Sequence, residues 1–505
     1  MSWLKGCRFP VLAVLVACLS LTSLQAADGA PKVYVILWFD TEDYISPAAD
    51  DVTLRLAQFL TRELVKAVFK VVGERALSME RRGRTDVIEA LKKHEIGFHS
   101  RWHSVQPTPA QYMSTCGWDE GVEEFDRREK PGYDAVQRIF GQAPSCYGQP
   151  GSSWGPQQFG AMRKWGMPVY LDEAQQVGID RKPFYYGGVL NLFHLEYRPR
   201  ADLRAADKFA DAEDRFLEMR KKIQKEGGGI ISIYYHPTEW ATNQFWDGAN
   251  FNKGANPPRE EWKLPKQKTA EETKVAFEIF EKYVRFMKRF DDVEFINARD
   301  AVKIWHDRSK ERTYVPADLR KIAGAAASEK LIFHVNGDYT LSVADQLVLL
   351  NQSFLAGAKK TEPIALKLAP FGPGSAAPEL KPGTTTDPSQ FRRTAEDVQD
   401  TLVKMGRVPS AVWLGSTPIS PESYLRTLAD MVILQQNGKD LPRTIEIKPA
   451  KLASAEYVSA DNPKLWGWVI FPPNFSAPEM MTLAKRQAWT LKPAILDREV
   501  VVTKK

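Results

Sequence analysis

His99 and His103 stand four positions apart in HEIGFHSRWHS, a stretch that holds three of the chain's seven histidines. If the chain turns helical there, side chains at that spacing share one face, which suits two imidazole ligands on one divalent ion. FDTEDY supplies Asp40, Glu42 and Asp43. One of these carboxylates would complete a His₂–carboxylate set that leaves positions open for water and substrate, as catalytic zinc needs. A neighbouring carboxylate within hydrogen-bond reach can act as general base. Asp40 could instead only cap the helix that follows. His94, His194, His306 and His334 read as surface or supporting histidines.

These groups need elements to position them. Residues 32–40, KVYVILWFD, form a continuous β-rich run and predict a buried strand. DVTLRLAQFLTRELVKA has helical spacing, VFKVVGE predicts a second strand, RTDVIEALKKH a second helix, and EIGFHS a third strand ending at His99. The alternation continues through PSCYGQPGSSWG and MPVYLDEA to GIISIYYHPTEW, a buried strand ending at His236, and then to VEFINARDAV. Such alternation predicts a parallel sheet with helices outside it. Asp40, His99 and His236 each fall at the C-terminal end of a predicted strand, the edge where parallel α/β folds build sites.

The order of an acidic strand end, H-S-x-x-H and a later strand ending in His resembles NodB-type polysaccharide deacetylases. The resemblance spans roughly residues 31–305. It implies a distorted (β/α)7 barrel, a divalent metal, zinc in the first place, and removal of acetyl groups from N-acetylated glycans. FDTED resembles the family's T-F-D-D-G motif, which makes Asp40 the general base and Glu42 or Asp43 a metal ligand. AVFKVVGE resembles its second strand, and IEALKKHEIGFHSRWH its histidine motif, so His99 and His103 carry over as ligands. SIYYHPTEW resembles the late L-x-H motif, with His236 as general acid, and VYLDEA offers Asp172 to orient that histidine. The chain departs from the family twice. The glycine after the first acidic pair is missing. The nearest match to the R-x-P-x-G motif is YGQPGSSWG, with no arginine to tune the base. Gln149 is a substrate-binding candidate or a turn residue. Trp240 and Trp246, in an aromatic-rich loop with Phe245, Phe251 and Trp262, could stack on sugar rings or pin a long insertion to the barrel.

The remaining features bound these readings. A length of 505 residues predicts two to four domains. A net charge of +6 spread over that length, without a basic stripe interleaved with aromatics, excludes a nucleic-acid partner. The N-terminus, with Lys5, Arg8, the apolar run VLAVLVACLSLTSL and the small-residue stretch QAADGA, predicts a signal peptide over residues 1–26. The expected location is therefore secreted or periplasmic; a retained membrane anchor and a lipoprotein anchored at Cys18 are the alternatives. The mature chain keeps Cys116 and Cys146, and an oxidising compartment permits their pairing. A charged linker is expected at 306–330 and a smaller C-terminal domain, mostly helical or α+β, at 331–505. Within it YTLSVADQLVLLNQSF and TPISPESYLRTLADMV resemble each other, with Ser342 and Ser420 as expected helix N-caps. The second copy also resembles pseudomurein-binding repeats, which implies a glycan or cell-wall module. The functional expectation is a secreted metal-dependent glycan deacetylase. A glycan-binding protein that has lost catalysis and a small-molecule amide hydrolase are the alternatives.

Overall fold

The strand that opens the fold, β1 (Val33–Thr41), is buried at all nine positions, and its first seven residues are an unbroken apolar run. It lies between β2 (Val68–Val71) and β8 (Gly229–Tyr235), parallel to both. The sheet continues from β2 through β3 (Glu95–Phe98), β4 (Cys146–Tyr147) and β5 (Val169–Asp172) to β7 (Val189–Phe193), all parallel. These strands form a curled α/β half-barrel with helices outside, so the distorted barrel expected from the sequence is the one observed. β9 (Val293–Ile296) pairs with the first half of β1. β6 (Phe184–Tyr186) runs antiparallel to β7 and receives the two-residue strand Lys492–Pro493 on its outer side.

This computed structural model describes residues 31–357 and 362–500. The expected signal peptide, with Cys7 and Cys18, lies outside the described residues. No helix of the described residues is long and apolar enough to cross a membrane. Cys116 and Cys146 are both free thiols, so the pairing considered above is not made.

The C-terminal region divides differently from the expected 306–330 linker and 331–505 domain. Leu319, Ile322, Ala323 and Ala326, at helical spacing on Pro316–Ala326, pack into a second core. Part of the expected linker is therefore a helix of the C-terminal body. That body repeats one unit: helix Pro316–Ala326, hairpin His334–Asn336 with Tyr339–Leu341, and helix Val343–Ala356, then Pro388–Met405, Val412–Leu414 with Thr417–Ile419, and Pro421–Gln436. Both hairpins turn on a glycine in the left-handed region, Gly337 at φ 61° and Gly415 at φ 62°. Ser342 and Ser420 cap the following helices by accepting from the Asp345 and Ser423 amides at 3.1 and 3.2 Å. The duplication legible in the sequence is thus two copies of one fold. The chain beyond it does not stay there. Val458, Leu465, Trp466, Phe471, Met480 and Leu491 pack into the barrel's own core, because their apolar faces meet it and not the repeats.

Candidate functional site

The C-terminal ends of β1, β3, β5 and β8 bring Asp40, His99, Asp172 and His236 to one mouth of the half-barrel. They line a cleft of about 310 Å³ together with Glu42, His103, Gln149, Phe245 and Trp468.

His99 follows β3 directly. Its Nδ1 donates to the Gly148 carbonyl at 3.0 Å, which leaves Nε2 facing Glu42 Oε2 at 3.6 Å. His103 is reached by a tight turn and not by the helical turn that the spacing suggested. Ser100 and His103 take φ of 64° and 57°, and the His103 amide donates to Ser100 Oγ at 3.0 Å. Glu129 holds this turn from a neighbouring helix by accepting from the Arg101 amide at 2.6 Å. The rings still converge, with centroids 5.0 Å apart. His103 Nε2 lies 2.8 Å from the same Glu42 oxygen, and its Nδ1 is hydrogen-bonded to Ser104 Oγ at 2.7 Å. Each imidazole is therefore oriented through Nδ1 and presents Nε2, the arrangement in which metal-ligating histidines are held. The ligand atoms of Glu42, His99 and His103 lie within 4.8 Å of one another, a spacing that fits one divalent ion. Burial lowers the His99 pKa and favours the neutral ring a ligand needs.

Of the two acidic ligand candidates, Glu42 occupies this set and Asp43 does not. Asp43 Oδ1 accepts from the Ile45 and Ser46 amides at 3.1 and 3.0 Å, and Oδ2 from Thr238 Oγ1 at 3.1 Å. Its carboxylate pins a loop.

Asp40 sits beside a group that the sequence reading passed over. Lys70, fully buried on β2, is the residue paired with Asp40 in the β1–β2 register. Its Nζ lies 2.9 Å from Asp40 Oδ1, 2.8 Å from Asp172 Oδ2 and 2.9 Å from the Leu171 carbonyl. Burial would lower the Lys70 pKa, but Asp172 and Asp40 outweigh it and keep the ammonium charged. One cation cannot fully compensate two buried carboxylates. Against the burial that would raise it, neighbouring positive charge, that of Lys70 and His236 included, holds Asp40 low, whereas burial pushes Asp172 up. A Cβ on Gly148 would land on Lys70 Nζ and 2.5 Å from Asp172 Oδ2, so only glycine leaves this cluster its room. Gln149 Nε2 donates to Asp172 Oδ1 at 3.2 Å, while its Oε1 is buried without a hydrogen-bond partner among the described residues. The buried cation between Asp40 and Asp172 thus comes from β2.

His236 Nε2 lies 3.7 Å from Asp40 Oδ2. Asp172, expected to orient His236, is instead engaged by Lys70, Gln149 and the Glu173 amide. Glu239 does the orienting: its Oε1 accepts from the His236 amide at 2.9 Å and lies 3.1 Å from His236 Nδ1. Burial disfavours imidazolium, but this bond and the charges of Glu42 and Asp40 prevail and push the His236 pKa up to about 9. The ring is held as a proton donor at neutral pH.

Trp240 and Trp246, the expected stacking residues, are both fully buried. Trp240 packs on Tyr235 and Phe280, and Trp246 on Tyr44 behind His103. They pin the insertion. The aromatics that do line the cleft are Trp38, Tyr234, Phe245, whose ring is 4.8 Å from that of His236, and Trp468, 5.2 Å from that of His103. Trp468 arrives from the returning C-terminal segment and is anchored by Nε1 donating to Asp247 Oδ2 at 2.7 Å.

No family model matches the sequence, and no curated protein matches it. Solved structures do. The chain resembles NodB-type deacetylases. A protein named as a polysaccharide deacetylase, from Mycobacterium smegmatis, is 14% identical over 55% of this chain and 91% of its own, with a TM-score of 0.35. A Puue allantoinase is 13% identical over the same shares, also at 0.35. A family 4 carbohydrate esterase from Streptomyces lividans, solved with acetate, is 12% identical over 52% of this chain and 92% of its own, at 0.27.

Proposed function

We propose that this chain is a metal-dependent hydrolase that removes N-acetyl groups from a polysaccharide or cell-wall glycan, outside the cytoplasm. The observation that carries the reading is one shared mouth. Two imidazole Nε2 atoms converge on Glu42, and beside them a buried Asp40 lies between a lysine and a charged histidine. Glu42, His99 and His103 would hold the metal, zinc in the first place, which when bound polarises an amide carbonyl and lowers the pKa of a bound water. Asp40, kept ionised by Lys70, accepts the proton of the attacking water. His236, kept protonated by Glu239, donates to the departing amine. Lys70, a buried cation beside Asp40, supports catalysis over a binding protein that has lost it. The repeated C-terminal body would serve as a glycan-binding module.

A small-molecule amide hydrolase is the second reading, favoured by a cleft of only about 310 Å³ whose lining includes Trp468 and Val469. One experiment separates these. The metal-loaded protein releases acetate from N-acetylglucosamine oligomers, chelator stops the release, and H99A loses both metal and activity. Full activity in metal-free H99A would end the metal reading. Hydrolysis of small cyclic amides with none of the oligomers would favour the second.

A further inference from the structure

Next to the cleft lies a larger cavity of about 510 Å³ that the proposed chemistry does not use. Four cations line it, Arg200, Arg204, Arg215 and Lys268, against two carboxylates, Asp202 and Glu239. The carboxylates are taken: Glu239 pairs with Arg200, and Asp202 with Arg204 at 3.1 Å. Two cations are left over. The Arg215 guanidinium donates to the Arg200 carbonyl at 3.3 Å and has no carboxylate partner among the described residues. The Lys268 ammonium likewise forms no ion pair with them, although its backbone is fixed by its amide donating to the Ala241 carbonyl at 2.8 Å. Arg215 is carried on the helix Phe209–Lys225, and Lys268 just precedes the helix Ala270–Met287.

The cavity adjoins the cleft. Phe245 lines both concavities, and Glu239 bridges them, one oxygen on His236 and the other on Arg200. A neutral sugar offers unpaired cations hydroxyl acceptors but no opposite charge; a carboxylate supplies both, and guanidinium binds it with charge-assisted, geometrically specific hydrogen bonds. The volume is in the range that encloses a small ligand, enough for a sugar ring. Resting on the glycan deacetylase reading, we propose that this cavity is a subsite for a carboxylate-bearing sugar of the same glycan chain as the residue being deacetylated.

The test is equilibrium binding to the full-length protein. The probes are a tetrasaccharide alternating glucuronic acid with N-acetylglucosamine, and the same compound after carboxyl reduction. The acidic form binds roughly tenfold tighter, as two charge-assisted contacts allow, and the difference shrinks at about 0.5 M salt because exposed charges are screened. The double variant R215A/K268A abolishes the difference and leaves affinity for the reduced form unchanged. Equal affinities, no binding of either form, or a difference that survives in the double variant overturns the subsite. Acetate release from neutral oligomers reports separately on the deacetylase reading. If it is absent while charge discrimination persists, that reading falls and an acidic-sugar site remains.

Discussion

Two lysines are buried among the described residues, and each holds two aspartates. Lys70 Nζ reaches Asp40, Asp172 and the Leu171 carbonyl. Lys492 Nζ reaches Asp307 at 2.9 Å, Asp345 at 3.0 Å and Ser309 Oγ at 2.9 Å, at the seam between the barrel and the repeated body. In both clusters the aspartates overcome the burial that would neutralise the lysine. The difference lies in what else the carboxylates do. Asp345 Oδ2 also caps its own helix by accepting from the Ser342 amide at 2.9 Å, and Asp307 Oδ1 accepts from Ser309 Oγ at 2.6 Å. Asp40 instead turns Oδ2 toward His236 and an open cleft. A buried lysine–aspartate cluster is therefore not in itself a sign of function. The sign is a carboxylate oxygen left facing space that a substrate can enter.

Substitutions in the two clusters should divide along that line. Asp40→Asn removes the base and should lower kcat by about 10²–10⁴-fold, whereas Asp345→Asn should leave kcat unchanged and lower only the melting temperature. A D40N enzyme with native kcat would show that Asp40 is as structural as Asp345. Removing one partner of a buried ion cluster costs about 3–5 kcal/mol, so Lys492→Met and Lys70→Met should both shift denaturant midpoints down. Only Lys70→Met should also change the pH profile. Lys70 is one of the groups that hold Asp40 low, so without it the Asp40 pKa rises and the acid limb of kcat moves to higher pH. An unmoved limb in K70M would reduce the two lysines to one structural device.

The sequence showed the barrel because apolar runs and helical periods are local. It showed Asp40, His99 and His236 because strand ends in a parallel sheet share one edge. Lys70 stayed hidden for a different reason. In VFKVVGE a single lysine looks like an ordinary polar position, and its meaning comes only from the register that pairs it with Asp40. Charged residues facing each other across two buried strands would have been the signal. Glu239 was within reach: the turn Thr238–Ala241 after His236 brings the third residue on back to the ring. Trp468 was not, since nothing local says that a segment more than two hundred residues past His236 returns to wall the cleft. The choice for Trp240 and Trp246 between stacking on sugar and pinning the insertion stayed open, because aromatic density in a long loop reads the same whether it packs inward or waits for sugar.

The smallest effect is expected at Glu239, which tunes a catalytic group from outside the cleft chemistry. His236 must be protonated to donate, so kcat falls as pH rises through its value of about 9. In Glu239→Gln the hydrogen bond that leads in raising that value loses its charge, while the burial that opposes it remains. The alkaline limb should therefore move to lower pH, with kcat below pH 6 close to wild type, a split that simple unfolding would not give. Stability carries the complementary sign. His236 and Arg200 outweigh burial and depress Glu239 to about 2, below the ordinary glutamate value. Its contribution is complete above that ordinary value and is lost as pH falls through it toward about 2. Acid denaturation of E239Q should lack this component. If both limbs match wild type, His236 keeps its proton by the cleft carboxylates alone, and the distinction between the open cluster at Lys70 and the closed one at Lys492 extends no further than Asp40.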